Sequence, residues 1–319
     1  MLNPEIHDKA NFDKKGWPWQ NLVDSAVYEN TEEWPKISIV TPSYNQGPYI
    51  EETILSVINQ NYPNLEYIII DGGSTDNTVE IIKKYDQHIT YWVSEPDKGQ
   101  SPAINKGFKK ATGDILGWIN SDDYYEANIF NSVVNSIKIN EPTLLYGNAA
   151  YYFQNSMSFK KVDVVFQKKK KVLPFDLGFI QPSTFWTAKL WEQIGELNTS
   201  LHFAFDLDWY LRCIGKATFV ALDKQLAIYR IHDSHKTVLG GVRREGEILK
   251  ALQDNNFVEY AETLKSIDLS LADKIIALDF KYGLGKVIYP FYRLLKPNLQ
   301  AYNNDEVAQL FTKARNIFN

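Results

Sequence analysis

The sequence predicts an α/β fold: a mostly parallel sheet flanked by helices, with a helical extension at the C-terminal end. Two observations carry this expectation. From Lys36 onward, short β-rich runs alternate with amphipathic stretches of helical period, the pattern of parallel βαβ units. Polar residues also collect just past each expected strand, where open α/β sheets bind ligands. With 319 residues, 44% apolar and 14% aromatic, the chain can bury one large core or two smaller ones.

The first run, Ile37 to Val40, leads into Thr41-Pro42-Ser43-Tyr44-Asn45, and Pro48 then opens a helix with Ile50, Ile54, Val57 and Ile58 on one face. The second, Tyr67 to Ile70, ends at Asp71-Gly72-Gly73. After it, Ser74, Thr75, Asp76 and Asn77 offer caps for a helix carrying Val79, Ile81 and Ile82. The third, Ile89 to Val93, delivers Ser94-Glu95-Pro96-Asp97-Lys98-Gly99-Gln100 and a helix with Ser101 as cap and Pro102 at its first position. Ile115 to Ile119 forms a fourth strand and delivers Asn120-Ser121-Asp122-Asp123. Tyr44, Asp71, Asp97, Asn120 and Asp122 therefore converge on one edge of the sheet.

The regular alternation stops near Thr143. Residues 146–230 mix aromatic runs with the lysine run Lys168–Lys171 and a helix-like segment from Asp206 to Cys213. From Gly241 the chain is helix-prone, broken by Gly283, Gly285, Pro290 and Pro297.

A net charge of -5 argues against a nucleic-acid binder that works by neutralising phosphates. Cys213 is the only cysteine, which rules out an intramolecular disulfide and reads as a core residue. Residues 1–33 have no apolar segment of signal-peptide character, and no apolar run approaches the ~20 residues of a membrane span, so a cytoplasmic location is expected. The lysine run and the stretch from Lys286 to Lys296 read first as a solvated loop and a packed helix. They are also the segments through which the chain would touch a membrane surface peripherally.

Taken alone, Asp122 and Asp123 are either hard-cation ligands at a strand end or turn carboxylates capping the next helix. A nicotinamide-binding turn would need Gly-X-Gly-X-X-Gly where the chain has Thr41-Pro42-Ser43-Tyr44-Asn45-Gln46-Gly47. A calcium loop starting at Asp71 would need Glu where Ile82 stands. A nucleotidyltransferase would place Lys or Arg in an early phosphate loop, and residues 43–48 have neither.

Four segments in order, Thr41-Pro42-Ser43-Tyr44-Asn45, Asp71-Gly72-Gly73-Ser74-Thr75-Asp76, Glu95-Pro96-Asp97-Lys98-Gly99-Gln100 and Asn120-Ser121-Asp122-Asp123, resemble the successive motifs of family 2 glycosyltransferases with a GT-A fold. The resemblance covers about Lys36 to Lys236. It implies an inverting transferase that moves a sugar from a nucleotide-sugar donor to a hydroxyl of a glycan or glycolipid, in bacterial surface polysaccharide synthesis. It divides the chain into an N-terminal arm (1–35), a nucleotide-sugar-binding region (36–140), an acceptor-binding region of the same domain (141–240) and a C-terminal helical region (241–319).

By the same resemblance, Thr41, Pro42 and Tyr44 line the nucleoside pocket, and Asp71, in the loop with Ser74, accepts a hydrogen bond from the base, which favours UDP. The Asp97 loop, with Gly99, reaches the base, ribose or diphosphate. Mn2+ or Mg2+ would offset charge on the departing diphosphate. The family's Asp-X-Asp motif is Asn120-Ser121-Asp122 here, so the metal falls to Asp122, with Asn120 as its hydrogen-bonding neighbour and Asp123 alongside.

Gln181-Pro182-Ser183 resembles the acceptor-side loop. In Phe203–Arg212, Asp206 matches the general base, with Asp208 as the substitute if the register slips by two; on its own Asp206 could simply cap a helix. Tyr229-Arg230-Ile231-His232 resembles the closing motif, with Arg230 near the diphosphate and His232 near the metal. The alternative outside catalysis is an inactive GT-A scaffold that binds nucleotide-sugar or glycan. Donor sugar, linkage and oligomeric state are not encoded in these motifs.

Overall fold

The computed structural model describes residues 14–29, 34–162, 179–233, 236 and 241–265. The lysine run Lys168–Lys171, the breakers from Gly283 to Pro297 and the stretch Lys286 to Lys296 lie outside the described residues.

Four parallel strands form the half of the sheet that the sequence foretells: β1 (Ile37–Ser43), β2 (Leu65–Asp71), β3 (Tyr91–Ser94) and β4 (Ile115–Trp118). They lie in the order β3-β2-β1-β4. β1 and β4 are buried throughout, as expected of apolar strands covered on both faces. Alternation along β1 and β2 assigns their side chains to two layers. Ile37, Ile39, Tyr67 and Ile69 share a core with Ile50, Ile54 and Val57 of α1 (Ile50–Ile58), Ile82 of α2 (Thr78–Lys84), and Ile129, Phe130 and Val133 of α4 (Ile129–Val134). On the opposite face, α3 (Gln100–Phe108) packs so closely on β1 that a Cβ on Gly107 would lie 2.4 Å from Val40 Cγ1. Phe108 continues into a cluster of aromatic rings with Trp118, Trp186 and Trp191, the last from α5 (Ala188–Ile194).

Local boundaries differ from the sequence reading in places. β1 runs on to Ser43 because its last residues pair in register with β2, Ser43 opposite Asp71. The first helix begins at Ile50, after a turn through Gly47, rather than at Pro48. The third begins at Gln100, so its cap is Gly99 and not Ser101. Gly99 sits at φ +121, a conformation open to glycine, and Ser101 is buried in the first turn.

Past Thr143 the chain completes the same sheet. β6 (Thr143–Phe153) pairs with β8 (Thr184–Thr187) and β7 (Ser158–Val162) on one side and runs parallel to β9 (Thr218–Ile231) on the other. β8 joins β4, and the short β5 (Tyr124–Tyr125) pairs with β9. Part of the N-terminal arm belongs to this body as well. Trp17 Nε1 donates to Tyr125 O at 2.7 Å, and Tyr28 packs edge-on against Trp34 and Tyr62.

The described residues fall into two compact units. The first holds 14–29, 34–162, 179–200 and 212–233. The second holds 201–211, Lys236 and 241–265, with α6 (Phe205–Cys213, through Leu211), α7 (Gly241–Asp254) and α8 (Val258–Lys265). Cys213 is buried, as its sequence context suggested. Among the described residues no helix is long and apolar enough to cross a membrane.

In an ordinary helix interior Gly→Ala gains up to about 1 kcal/mol. At Gly107 the Val40 side chain occupies the space, so Gly107→Ala should lower stability by about 1–3 kcal/mol in urea unfolding. In a Val40→Ala background the same substitution should cost measurably less.

Candidate active site

In the first unit, the loops that leave β1, β2, β3 and β4 are tied to one another at the C-terminal edge of the sheet. Asn45 N donates to Ser74 Oγ at 2.7 Å, and Asn45 Oδ1 accepts from Thr75 N at 2.8 Å, joining the first two loops. Glu95 N donates to Asp71 O at 3.0 Å, and a Cβ on Gly72 would come within 2.8 Å of Asp97 Oδ2. The Asp97 carboxylate therefore lies against the Gly72 backbone. Gln100 Nε2 donates to Asn120 Oδ1 at 2.7 Å, bringing in the fourth loop.

Within this edge, each expected residue has a definite situation. Asp71 is fully buried. Its Oδ2 accepts from Gly73 N, Ser74 N and Ser94 Oγ, and its Oδ1 accepts from Ser74 Oγ. The carboxylate is thus engaged in shaping the turn that follows β2. Thr41 is likewise buried, its hydroxyl 3.1 Å from Tyr67 OH, and Pro42 lies buried beside it in β1. Tyr44 instead is 59% exposed. Asp97 is exposed and accepts from Gly99 N at 2.7 Å. Gln181 donates to Trp118 O, and its Oε1 lies 3.3 Å from Asn120 Nδ2, so the loop before β8 reaches the same place.

The carboxylate pair is set by the turn between β4 and β5. Thr53 Oγ1 on α1 donates to Asp123 O at 2.6 Å, and Ser56 Oγ accepts from Tyr125 N. Gln60 holds Glu126 O and Ile129 N. Thr53 and Ser56 on the buried face of α1, with Gln60 just past its end, fasten the turn to the helix. Asp123 is buried and faces inward, accepting from Arg230 N at 2.9 Å and from Asn120 Nδ2 at 3.3 Å. Burial, with the Asp122 charge beside it, pushes its carboxyl well above the usual range.

Asp122 turns the other way, and its Oδ2 lies 3.1 Å from His232 Nε2. Pairing of β5 with β9 explains this meeting of residues 110 positions apart: with Tyr124 opposite Ile228, the end of β9 runs back past the turn. Arg230 on that strand end is 7% exposed. Its Nε donates to Asp122 O at 2.8 Å, its Nη2 pairs with Glu52 of α1, and its guanidinium is ringed by Tyr49, Tyr124 and Tyr152 at 5.1–5.5 Å. Tyr49 also lies against the His232 ring, centroids 4.6 Å apart.

An oxygen and an imidazole nitrogen 3.1 Å apart suit a small divalent cation such as Mn2+ or Mg2+, whose remaining positions diphosphate oxygens and water can fill. Among the described residues no group of three or more His, Cys, Asp or Glu could hold a metal by itself. The donor set thus fits a cation shared with a bound nucleotide rather than an all-protein cage.

In the second unit, Asp206 lies in the first turn of α6, where its Oδ1 accepts from Leu207 N at 2.7 Å. Glu247 of α7 accepts from the N–H groups of His202, Phe203 and Ala204 at 2.7, 2.6 and 3.3 Å. Asp208 is buried, and its Oδ1 accepts from Asn255 Nδ2 at 3.0 Å. Burial raises the Asp206 carboxyl above its ordinary range, opposed by the Leu207 N–H and by the charges of Lys236 and Arg244. The same burial lowers the Lys236 ammonium, set over the rings of Phe203 and Phe205, to about 8.

The sequence reading did not single out Glu52, Gln60, Gln100 or Glu247. Thr53, Ser56 and Gln60, polar at helical spacing along an apolar face, are the signal that could have marked the α1 tether.

Residues 38–190 match the model of glycosyl transferase family 2. An uncharacterized glycosyltransferase of Rickettsia typhi is 30% identical over 212 residues, 64% of this chain and 66% of that protein. The other leading curated matches cover smaller shares, between 30% and 48% of the relative's own length. Among solved structures, S. aureus TarS 1-349 in complex with UDP-GlcNAc superposes with a TM-score of 0.56 at 17% identity, covering 89% of this chain and 88% of that one. The mannosyltransferase PcManGT from Pyrobaculum calidifontis, in complex with GDP-Man and Mn2+, does so with a TM-score of 0.57 at 15% identity, covering 98% and 92%.

A raised carboxyl pKa means that the folded protein holds the Asp206 proton more tightly than the unfolded chain does. The ionised form then weakens the fold, fully above the folded pKa and not at all below the ordinary value of 3.8. Asp206→Asn should therefore raise the Tm at pH 8, with a gain that shrinks toward pH 4 in thermal melts. Through residues 38–190 the chain belongs to glycosyl transferase family 2, and its fold is GT-A.

Proposed function

We propose that the protein is an inverting, metal-assisted glycosyltransferase that moves a sugar from a nucleoside-diphosphate sugar, with UDP as the favoured nucleotide, to a hydroxyl of a glycan or glycolipid of the bacterial surface. The observation that carries this reading is the Asp122–His232 pair, held at the edge where four strand-end loops meet within a family 2 domain. The nucleotide-sugars named with the TarS and PcManGT structures support the donor class, and UDP-GlcNAc supports the choice of UDP.

In this reading, exposed Tyr44 stacks on the base, while Thr41 and Pro42 form the floor of its pocket. The turn shaped by Asp71 and Ser74 and the Asp97–Gly99 loop wall the place of the nucleoside and diphosphate, with Asp97 as the exposed carboxylate there. Asp122 and His232 would hold Mn2+ or Mg2+, which would offset the negative charge gathering on the departing diphosphate. Asn120 and Asp123 fix Asp122's loop, Arg230 fixes it from behind, and Gln181 orders the acceptor-side loop.

Asp206 is the general base. Its carboxylate takes the proton of the acceptor hydroxyl as that oxygen bonds to the anomeric carbon, and the bond from that carbon to the diphosphate breaks with its electrons leaving on the diphosphate. A carboxyl raised by burial is a better base than an exposed one. Asp208, buried and bonded to Asn255, is structural in this scheme.

Calorimetric titration with UDP and GDP, with and without Mn2+, should show UDP binding that depends on the metal. Absence of binding to either nucleotide would return the chain to the scaffold reading. Asp206→Asn should leave UDP affinity within about twofold while lowering sugar transfer by 10² or more. Retention of a tenth of the transfer would remove the base from this residue.

A further inference from the structure

The hairpin between β6 and β7 grows out of the candidate active site and ends in a surface that the proposed chemistry does not use. Across paired strands, Arg230 of β9 stands beside Tyr152 of β6, and Tyr152 beside Phe159 of β7. The three side chains form a row. The Arg230 guanidinium lies 5.5 Å from the centre of the Tyr152 ring, and the Tyr152 and Phe159 rings are 4.7 Å apart. Two strand spacings of about 4.8 Å put Phe159 on the order of 10 Å from Arg230. The turn itself is fastened to the same place. Asn155 Nδ2 donates to Asp233 Oδ1 at 2.7 Å, next to His232, and Gln154 hydrogen-bonds the hydroxyl of Tyr49, whose ring lies against His232.

Beyond these ties, every residue from Asn155 to Lys161 is exposed. Met157 is 71% exposed and Phe159 58%, in a stretch that holds Lys160 and Lys161 and no acidic residue, although the whole chain carries a net charge of -5. Met157 closes the turn at φ +48, where Gly or Asn is the usual residue and a long side chain costs backbone strain. The hydroxyls of Ser156 and Ser158, 2.6 Å apart, brace the turn on either side of it.

Among the described strands β7 pairs with β6 alone. Lysines on such an edge strand ordinarily keep it from pairing with other chains. A methionine and a phenylalanine held out to solvent do not serve that end. Apolar side chains flanked by lysines match the layers of an anionic bilayer surface, with acyl chains for Met157 and Phe159 and phosphate headgroups for Lys160 and Lys161.

We propose that the β6–β7 hairpin is a membrane foot: Met157 and Phe159 enter the acyl boundary of an anionic bilayer, and Lys160 and Lys161 hold its headgroups. The contact stands on the hairpin itself. Its use, to set the metal-binding edge beside a glycolipid acceptor, rests on the proposed function.

The test is co-sedimentation of the full chain with vesicles of phosphatidylglycerol and phosphatidylcholine, against vesicles of phosphatidylcholine alone. The wild type should bind the anionic vesicles. Met157→Ser combined with Phe159→Ser should weaken that binding about tenfold or more, with Tm and calorimetric UDP affinity unchanged. Lys160→Gln and Lys161→Gln should each weaken it roughly fivefold at low salt, and by less at high salt. Cys213 is the only cysteine and is buried, so Met157→Cys takes a thiol-reactive, environment-sensitive dye at the hairpin alone. The emission of that dye should move to the blue when anionic vesicles are added.

No binding, equal binding by the serine variant, or binding without a change in the dye overturns the proposal. So does a wild-type dimer that dissociates in the serine variant and ignores vesicles, which would give the patch to a second copy of the chain. Vesicle binding by a chain that fails to bind UDP leaves the foot standing and removes its proposed use; UDP binding without vesicle binding does the reverse.

Discussion

The first unit is organised around one buried cation. The Arg230 guanidinium touches α1 through Glu52, the turn carrying Asp122 through its carbonyl, and three tyrosine rings, while the backbone N–H of the same residue holds Asp123. A charge so enclosed is tolerated only when its donors are matched, and removing one partner of such a pair typically costs 3–5 kcal/mol. Arginine meets the need because its planar fork can serve a carboxylate and a carbonyl together. The consequence is positional: of two adjacent aspartates, one is drawn inward by the Arg230 N–H and the other is directed toward His232.

The strand-end loops obey the same economy of polar groups. Asp71 spends its acceptor capacity on the turn that follows it and on Ser94, and the Asp97 carboxylate lies against Gly72. A rigid backbone rim of this kind costs nothing to reorganise when an anionic ligand arrives. The polar ties from Thr53, Ser56 and Gln60 to residues 123–129 give the rim a fixed foundation, since each satisfies a backbone group and all but the Gln60–Glu126 bond are buried.

Much of this was legible in the sequence because periodicity is a local signal. Ile37 to Val40 and Tyr67 to Ile70 are strands whatever lies elsewhere, and their ends locate Tyr44, Asp71, Asp97 and Asn120 at one edge. The motif order also brought His232 to Asp122 before any distance was known. What stayed hidden depends on pairs distant in sequence. Arg230 reads as a ligand contact from its motif, but its partner Glu52 lies 178 residues earlier on a helix whose pattern marks only its apolar face. The segment just before α6 is held by Glu247, some 45 residues later, and nothing near His202 and Phe203 announces that partner. Gly99 displaced Ser101 as the start of α3 because a backbone conformation, rather than a side-chain hydrogen bond, ends the preceding loop.

The central claim, that buried Arg230 holds Asp122 where a divalent cation can bind, is tested most directly by measuring Mn2+ affinity in the presence of UDP by electron paramagnetic resonance, for wild type and Arg230→Lys. Lysine keeps the charge but cannot serve Glu52 and the Asp122 carbonyl together in the same geometry. The account predicts Mn2+ binding about 10- to 100-fold weaker in a variant that still folds, the range for loss of a residue that orients a metal ligand. Equal Mn2+ affinity in the two proteins would contradict it.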